Sequence, residues 1–372
     1  MDLTLTEQQN MLHQVIHDLR ERDFNKAALV AIDAGRESVE TLWPSLVSVG
    51  ILGSLIPEEY GGAGGSLTDT AVIYEELGRG PVPGPHLSSG VLAALVLLEA
   101  GTPEQKQELL PAIASGERTF ALAVTEENYG WGADFIRTPA RINGDDYALS
   151  GTKLYVHDAV EATDLIVAAR MENGTTGLLL VDVSRGGVAS RALPGFASSL
   201  CEISMLGLRV PRTSLIGDGE ADGWAVLERV FQKAQLVLSA YQVGGLSEVF
   251  DMSLSYSQTR QQFGQPIGRF QRVQDHVIDI VNHLDAARWT TYEALWKVDT
   301  GQPDAVAAMH TAAAVASEAY YYGCNSAHDV HAGLGIVQEY GLTLHTKLSR
   351  TLYHYLGSPR YHRKKLATAL GL

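Results

Sequence analysis

The hydrophobic periodicity of this chain changes twice, and those two changes limit its fold more than any other feature. Up to about residue 118 the apolar residues recur at helical spacing. Thr6 and Gln9 have the spacing of a capping box, and Leu12, Val15, Ile16 and Leu19 then fall on one face of the predicted helix. The runs LWPSLVSVGILG, SLTDTAVIYEELGRG and SSGVLAALVLLEAG read as further helices, each closed by glycine, with PEEYGGAGG and PVPGP as loops. From Phe120 the pattern becomes that of strands: FALAVT, ARINGDDYALSG, DLIVAAR, TGLLLVDV and ASRALP, punctuated by turn pairs such as Asn143-Gly144. No helix intervenes, which predicts an antiparallel barrel or sandwich. After DGEADGWAVLERV the helical spacing returns in long alanine-rich segments such as DAVAAMHTAAAVASEAYYYG. These exceed the average helix of ~11–12 residues and predict a bundle of long helices with faces suited to packing on another subunit. The expected organisation is a mainly α chain with a central β domain: an N-terminal helical domain over 1–118, a middle β domain over 119–222 and a C-terminal helical bundle over 223–372.

Composition narrows the function. The chain has 372 residues, a net charge of -15, 45% hydrophobic and 19% charged residues, the balance of an ordinary globular protein. Its acidity argues against nucleic acid, which is bound through clustered Lys and Arg. No apolar run approaches the ~20 residues of a membrane span, and the start MDLTLTEQQ is polar rather than a signal peptide, so no membrane partner and a cytoplasmic location are expected. Cys201 and Cys324 lack metal-like spacing and read as buried thiols; no metal site is expected.

The most specific stretch is RQQFGQPIGRFQRVQ, residues 260–274. A helix breaks at Gly264 and Pro266 and restarts, leaving Arg260, Gln262, Phe263 and Gln271 around the break. Arginine is a forked, permanently charged donor suited to a phosphate, and an aromatic beside it packs on a flat ring. An arginine merely capping carbonyls at a helix break fits the same residues.

Together with PEEYGGAGGSLTDTAVIYEELGRG, FALAVTEE, YALSGTKLYVHDAVEATDLIVAAR and HAGLGIVQEYGLTLH, this stretch makes the chain resemble an acyl-CoA dehydrogenase from end to end. The resemblance implies a helical domain, a middle antiparallel β barrel and a C-terminal four-helix bundle. It also implies FAD, an acyl-CoA substrate, and an electron-transfer flavoprotein that takes the electrons. In the family a glutamate removes the α proton while hydride leaves the β carbon for the flavin. Arg260, Gln262, Phe263 and Gln271 match the residues that touch the FAD of a neighbouring subunit, and Gly333 matches a glycine of a later cofactor loop. Asp329 stands where a glutamine is usual, and its charge would repel a pyrophosphate.

The same resemblance exposes what is missing. Most members carry the base immediately before a glycine that matches Gly357, which puts Leu356 in its place. A second group places it at the position of Ala234, whose usual arginine neighbour is here Gln235. Glu228 lies about 9 Å further back along the helix on another face, Glu248 is farther still, and His354 and His362 read as packing or surface residues. No catalytic residue is assigned. In the flavin-side loop TEENYGWGAD, Tyr129 and Trp131 replace small residues, and Tyr155 and His157 stand for the family's ring-flanking pair.

The combination resembles the base-lacking subunit of heteromeric α2β2 acyl-CoA dehydrogenases of bacterial steroid side-chain degradation. It implies an FAD shared with a catalytic partner subunit. Two alternatives stay open: a self-sufficient homotetrameric dehydrogenase with a displaced base, and a flavin monooxygenase or oxidase of the same fold. From Tyr340 to Leu372 the chain holds no acid, and Arg360, Arg363, Lys364 and Lys365 read either as a solvated helix end or as contacts to a partner or a CoA phosphate.

Overall fold

The computed structural model of the protein describes residues 4–196 and 200–372; Met1 to Leu3, the head of the polar start, lie outside them. The N-terminal helices are α1 (Glu7–Asp23), α2 (Lys26–Asp33), α3 (Trp43–Ser48), α4 (Leu67–Arg79), α5 (Ala94–Ala100) and α6 (Pro103–Ala114). The strands follow as β1 (Phe120–Ala123), β2 (Pro139–Asn143), β3 (Asp146–His157), β4 (Asp164–Met171), β5 (Thr176–Asp182), β6 (Val188–Ala192) and β7 (Leu200–Pro211). Then come α7 (Gly223–Thr259), the two-residue strands β8 (Gln261–Gln262) and β9 (Gln265–Pro266), α8 (Gln271–Asp299), α9 (Ala305–His331), α10 (Leu342–Leu352) and α11 (Pro359–Ala369).

By contact the chain divides into two compact units, one of residues 1–45, 66–82 and 235–372, the other of residues 46–65 and 83–234. The three regions seen in the sequence therefore describe element type along the chain, while contacts distribute the N-terminal helices between both units. Among the described residues no helix is long and apolar enough to cross a membrane.

In the first unit, α1 starts as its sequence demands. The Thr6 hydroxyl accepts from the Gln9 amide at 3.2 Å and the Gln9 side chain accepts from the Thr6 amide at 3.0 Å. Its buried stripe is narrower than expected: Gln9, Ile16 and Leu19 are buried, but Val15 is exposed. The stripe is drawn to α4 by polar contacts, Gln9 to Asp69 and Arg20 to Glu76, both at 2.9 Å, and Val15 falls far round from that line. Helices α4 and α7 touch backbone to backbone. A Cβ on Gly78 would lie 1.9 Å from the Tyr241 carbonyl oxygen, and one on Gly244 would lie 1.7 Å from that of Glu75, so only glycine fits at either place. Val243, Leu246, Val249, Leu284, Ala316 and Tyr320 form the core among α7, α8 and α9.

In the second unit the strands form one seven-stranded sheet of order β1-β4-β2-β3-β7-β6, with β5 also on β4. The Asn143-Gly144 signal marks a real hairpin, Asn143 pairing with Asp146 and Gly144 taking φ 65°. The sheet is mixed rather than wholly antiparallel as expected: β1 and β2 both run parallel to β4. The β2–β3 hairpin intervenes in sequence, which returns the chain to the end where β1 began before β4 is laid down. Cys201 and Cys324 are buried free thiols, and burial pushes Cys324 up to about 12.

Candidate functional site

The helix break in RQQFGQPIGRFQ forms as the sequence indicates. Helix α7 stops at Thr259, β8 and β9 pair as a short hairpin with Gln262 opposite Gln265, and α8 begins at Gln271. The Ile267 amide donates to the Arg260 carbonyl at 2.9 Å and closes the hairpin base. At its tip Phe263 takes φ 50° and is 92% exposed. A left-handed backbone costs a non-glycine residue ~1–2 kcal/mol, and an aromatic ring in water adds an apolar burden. The ring meets Phe270 edge-on, centroids 6.0 Å apart, just before Gln271. Arg260, Gln262, Phe263 and Gln271 are thus brought together and all are exposed. Gly333 lies on the exposed loop after α9, where an added Cβ would meet nothing within 4 Å. Asp329, one turn before that loop, faces His276 of α8 at 3.7 Å.

Leu356 has the opposite character. It is 2% exposed in the turn between α10 and α11. Ser358 caps α11 by accepting from the Tyr361 amide, with Pro359 in the first helical turn. Gly357 adopts φ 113°, and a Cβ there would meet the Tyr361 ring at 2.8 Å and His362 Nε2 at 2.9 Å. His362 and His310 are buried with their Nδ1 atoms 3.1 Å apart, which requires one to donate and the other to accept. Burial, with His310 nearby, holds His362 down at about 4, so it is neutral near pH 7. Ala234 and Gln235 are buried. Glu248 is paired with Arg79 at 3.2 Å; burial raises its carboxyl and the arginine opposes that rise. His354 is exposed beside Tyr353. Of the basic tail, Arg363 pairs with Glu318 and Lys365 lies over the Tyr361 ring, while Arg360 and Lys364 are exposed.

In the second unit, the loop carrying Tyr129 and Trp131 is tied down at both ends by a buried ion pair. Lys153 Nζ of β3 meets Glu126 Oε1 at 2.7 Å, and the same oxygen accepts from the amides of Arg137 and Thr138, each at 3.0 Å. Burial works against both charges and lowers Lys153, while Lys153 and these amides hold Glu126 below the usual carboxylate range. Trp131 packs against Phe231 and Trp224 at centroid distances of 5.0 and 5.9 Å. Tyr129 is 67% exposed and lies 6.0 Å from the Tyr155 ring, both residues with positive φ. His157 is buried and held down at about 3, so it is no base near pH 7. Its neighbour Asp158, which sequence reasoning passed over, is buried, accepts from the Ser88 hydroxyl at 2.8 Å and is pushed up to about 7 by burial.

Sequence reasoning also missed His310 and the ion pair of Glu126 with Lys153. No local spacing signals them, since each partner lies on a separate element.

Comparison with known proteins agrees with this geometry along the chain. Residues 6–117 match the acyl-CoA dehydrogenase N-terminal domain and residues 221–371 match the acyl-CoA dehydrogenase C-terminal domain. The chain is 31% identical over 356 residues to the protein named "Probable acyl-CoA dehydrogenase YngJ" of Bacillus subtilis (strain 168), covering 92% of each. It superposes on a structure described as PigA with FAD and proline with a TM-score of 0.92 and 26% identity, covering all of both chains. It superposes on a chain of the ChsE4-ChsE5 complex from Mycobacterium tuberculosis with a TM-score of 0.87 and 27% identity, covering 100% of this chain and 99% of that one. Helices, sheet and hairpin in this order, matched across nearly the whole length by a relative of that kind, make this chain a member of the acyl-CoA dehydrogenase family.

Proposed function

We propose that this chain is a subunit of an FAD-dependent acyl-CoA dehydrogenase that has no catalytic base of its own and completes the FAD site of a catalytic partner subunit. The observation that carries the reading is the Phe263 hairpin: a strained, 92% exposed aromatic beside Arg260, Gln262 and Gln271. These residues fit FAD by their chemistry. Arg260 supplies a charged fork for a pyrophosphate, Phe263 a face for a ring, and Gln262 and Gln271 amide donors and acceptors. Gly333 leaves its loop open to close approach. FAD bound in this family accepts the hydride removed from the β carbon of an acyl-CoA.

The chain's other features support the same role. Leu356 cannot take a proton and is sealed in a turn whose histidine neighbour is held neutral. On the β unit, the rings of Tyr129 and Tyr155 stand together where the resemblance puts small residues and the flavin's flank, so these residues do not fit a flavin ring of their own. The partners on this reading are a catalytic sister chain in an α2β2 assembly, the acyl-CoA and an electron-transfer flavoprotein. A steroid side-chain CoA is the narrower substrate suggested by the resemblance in sequence.

The test is the visible spectrum of the chain purified alone and after co-expression with a base-bearing sister. A colourless lone chain and a yellow complex with about one flavin per two subunits, bleached by acyl-CoA, is the expected result. One flavin per lone chain, bleached by acyl-CoA, would show a self-sufficient dehydrogenase instead.

A further inference from the structure

A buried acid closes the turn between β3 and β4, and among the described residues no lysine or arginine acts on its charge. Strand β3 ends at His157, and Asp158, Ala159, Val160 and Glu161 turn the chain toward β4. The Asp158 side chain is buried, and its Oδ2 lies 2.8 Å from Oγ of Ser88, itself buried. Ser88 opens the π-helical turn Ser88–Ala93 that leads into α5. Burial pushes Asp158 up to about 7; Ser88 opposes that rise and Glu161 of the same turn adds to it. The other titratable groups around this turn supply no fixed cation. Cys201 of β7 feels both acids, His157 is held neutral by burial, and His86 is buried two residues before Ser88. Lys153 of the same strand is committed to Glu126.

Ser88 Oγ has two acceptors within reach, Asp158 Oδ2 at 2.8 Å and the Pro85 carbonyl at 3.3 Å, and one proton to give. A protonated carboxyl serves both contacts: Asp158 donates to Ser88 Oγ, and Ser88 donates on to Pro85. An ionised carboxylate only accepts, and it is left in a buried place beside a second acid. The turn is built to move when that happens. Its far end is fastened to the residue before β1, where Thr119 Oγ1 donates to the Glu161 carbonyl at 2.8 Å and the Thr163 amide donates to the Thr119 carbonyl at 2.9 Å. Its near end lies beyond the last ladder pair, His157 with Leu200, on a left-handed backbone at φ 59°, and Ser88 is what it holds. Between the two ends the buried apolar side chains are only Ala159 and Ala162, and Val160 is 60% exposed, so lifting the turn takes little apolar surface into water.

We propose that Asp158 and Ser88 form a proton-operated latch on the β3–β4 turn, closed while Asp158 carries a proton and released when it loses it. In the closed turn the carboxyl titrates at about 7, and in an open, hydrated turn it returns to about 4. The latch therefore stabilises the closed turn fully below the ordinary carboxylate range and loses that hold as pH rises through 7. The strand end that it fastens carries Tyr155, also at positive φ, so release loosens the seat of the Tyr129–Tyr155 ring pair. The latch rests on residues of the β unit alone and goes beyond the completing-subunit reading.

The experiment is hydrogen–deuterium exchange of the full chain at pH 6 and pH 8.5, read over residues 158–162, with each rate divided by the intrinsic chemical rate at that pH. The opening equilibrium of this segment should rise about tenfold between the two conditions, the ratio that follows from a carboxyl at about 7 in the closed turn and about 4 in the open one. Helix α6 of the same unit should not change. Asp158→Asn keeps a group that donates to Ser88 and accepts the left-handed backbone, so it should hold the turn closed at both pH values. Ser88→Ala should raise opening several-fold already at pH 6. Equal corrected exchange at both pH values in the unaltered chain overturns the proposal. A rise that persists in Asp158→Asn overturns it as well, since another group would then carry the effect. If circular dichroism shows that Asp158→Asn does not fold, Ser88→Ala decides: a turn as well protected at pH 6 as in the unaltered chain removes the latch.

Discussion

The β8–β9 hairpin and the α10–α11 turn are both helix breaks built on a glycine of positive φ, Gly264 at 80° and Gly357 at 113°. Their neighbours have opposite fates. Phe263 stands almost wholly in water on a strained backbone, and Leu356 is almost wholly removed from it. Backbone strain persists only where the surrounding structure holds it, and it clusters at ligand clamps and switch regions. A buried leucine, by contrast, is fully explained by packing. The difference teaches that a helix break can leave its neighbour in water, where the proposed reading uses it, or fold it into the core.

Leu356→Glu is the strongest way to break that contrast. It places a carboxylate without a partner in a sealed turn and should lower stability by about 3–5 kcal/mol, read from urea unfolding at pH 7. The lone variant should still reduce no dye with acyl-CoA. Turnover would mean that the turn faces a working flavin site.

Acid unfolding sharpens the same side of the comparison. His362 is held at about 4 in the fold and returns to about 6.5 when unfolded. A histidine depressed in this way contributes stability that is present above pH 6.5 and is lost as pH falls from there toward 4. The loss attributable to His362 is about 3 kcal/mol over that range. His362→Asn should flatten it; parallel pH profiles for both proteins would remove the buried histidine from the account.

On the hairpin side the expected effects are smaller in stability and specific to the cofactor. Phe263→Ala should leave the unfolding free energy within about 0.5 kcal/mol while the co-expressed complex retains FAD about tenfold less tightly, measured by equilibrium dialysis. Unchanged flavin retention would leave the exposed ring without a purpose. Phe263→Gly should raise the stability of the lone chain by up to about 1 kcal/mol, because glycine accepts the left-handed backbone. Stability and cofactor retention would then move in opposite directions at one residue.

Local signals were the legible ones. The Thr6–Gln9 box, the Asn143-Gly144 turn and the break at Gly264 and Pro266 each act within a few residues, and the structure holds all three. Helices α2 and α6 escaped notice because they are short and lie between stronger runs, although Asn25 caps α2 and Thr102 with Gln105 caps α6. The parallel pairing of β1 and β2 with β4 depends on the path of the intervening hairpin, which no strand's own residues encode. At the site, the leucine before Gly357 was visible in sequence. Its burial was not, nor was the His310–His362 contact, since those residues are 52 apart. The polar positions 235, 239 and 242 were there to be counted, but only the packing shows that Gln235 Oε1, Ser239 Oγ and the Gln242 amide find no hydrogen bond among the described residues.

The pairing of Glu126 with Lys153 has a consequence for motion. One carboxylate grips a lysine of β3 and, across the loop, the backbone amides of Arg137 and Thr138. The span between is clasped at its base like a buckle, and its two ends can part only by opening a buried ion pair. Those two amides should therefore trade hydrogen for deuterium slowly and in concert, on the timescale of the clasp opening and not of the loop's own fluctuations.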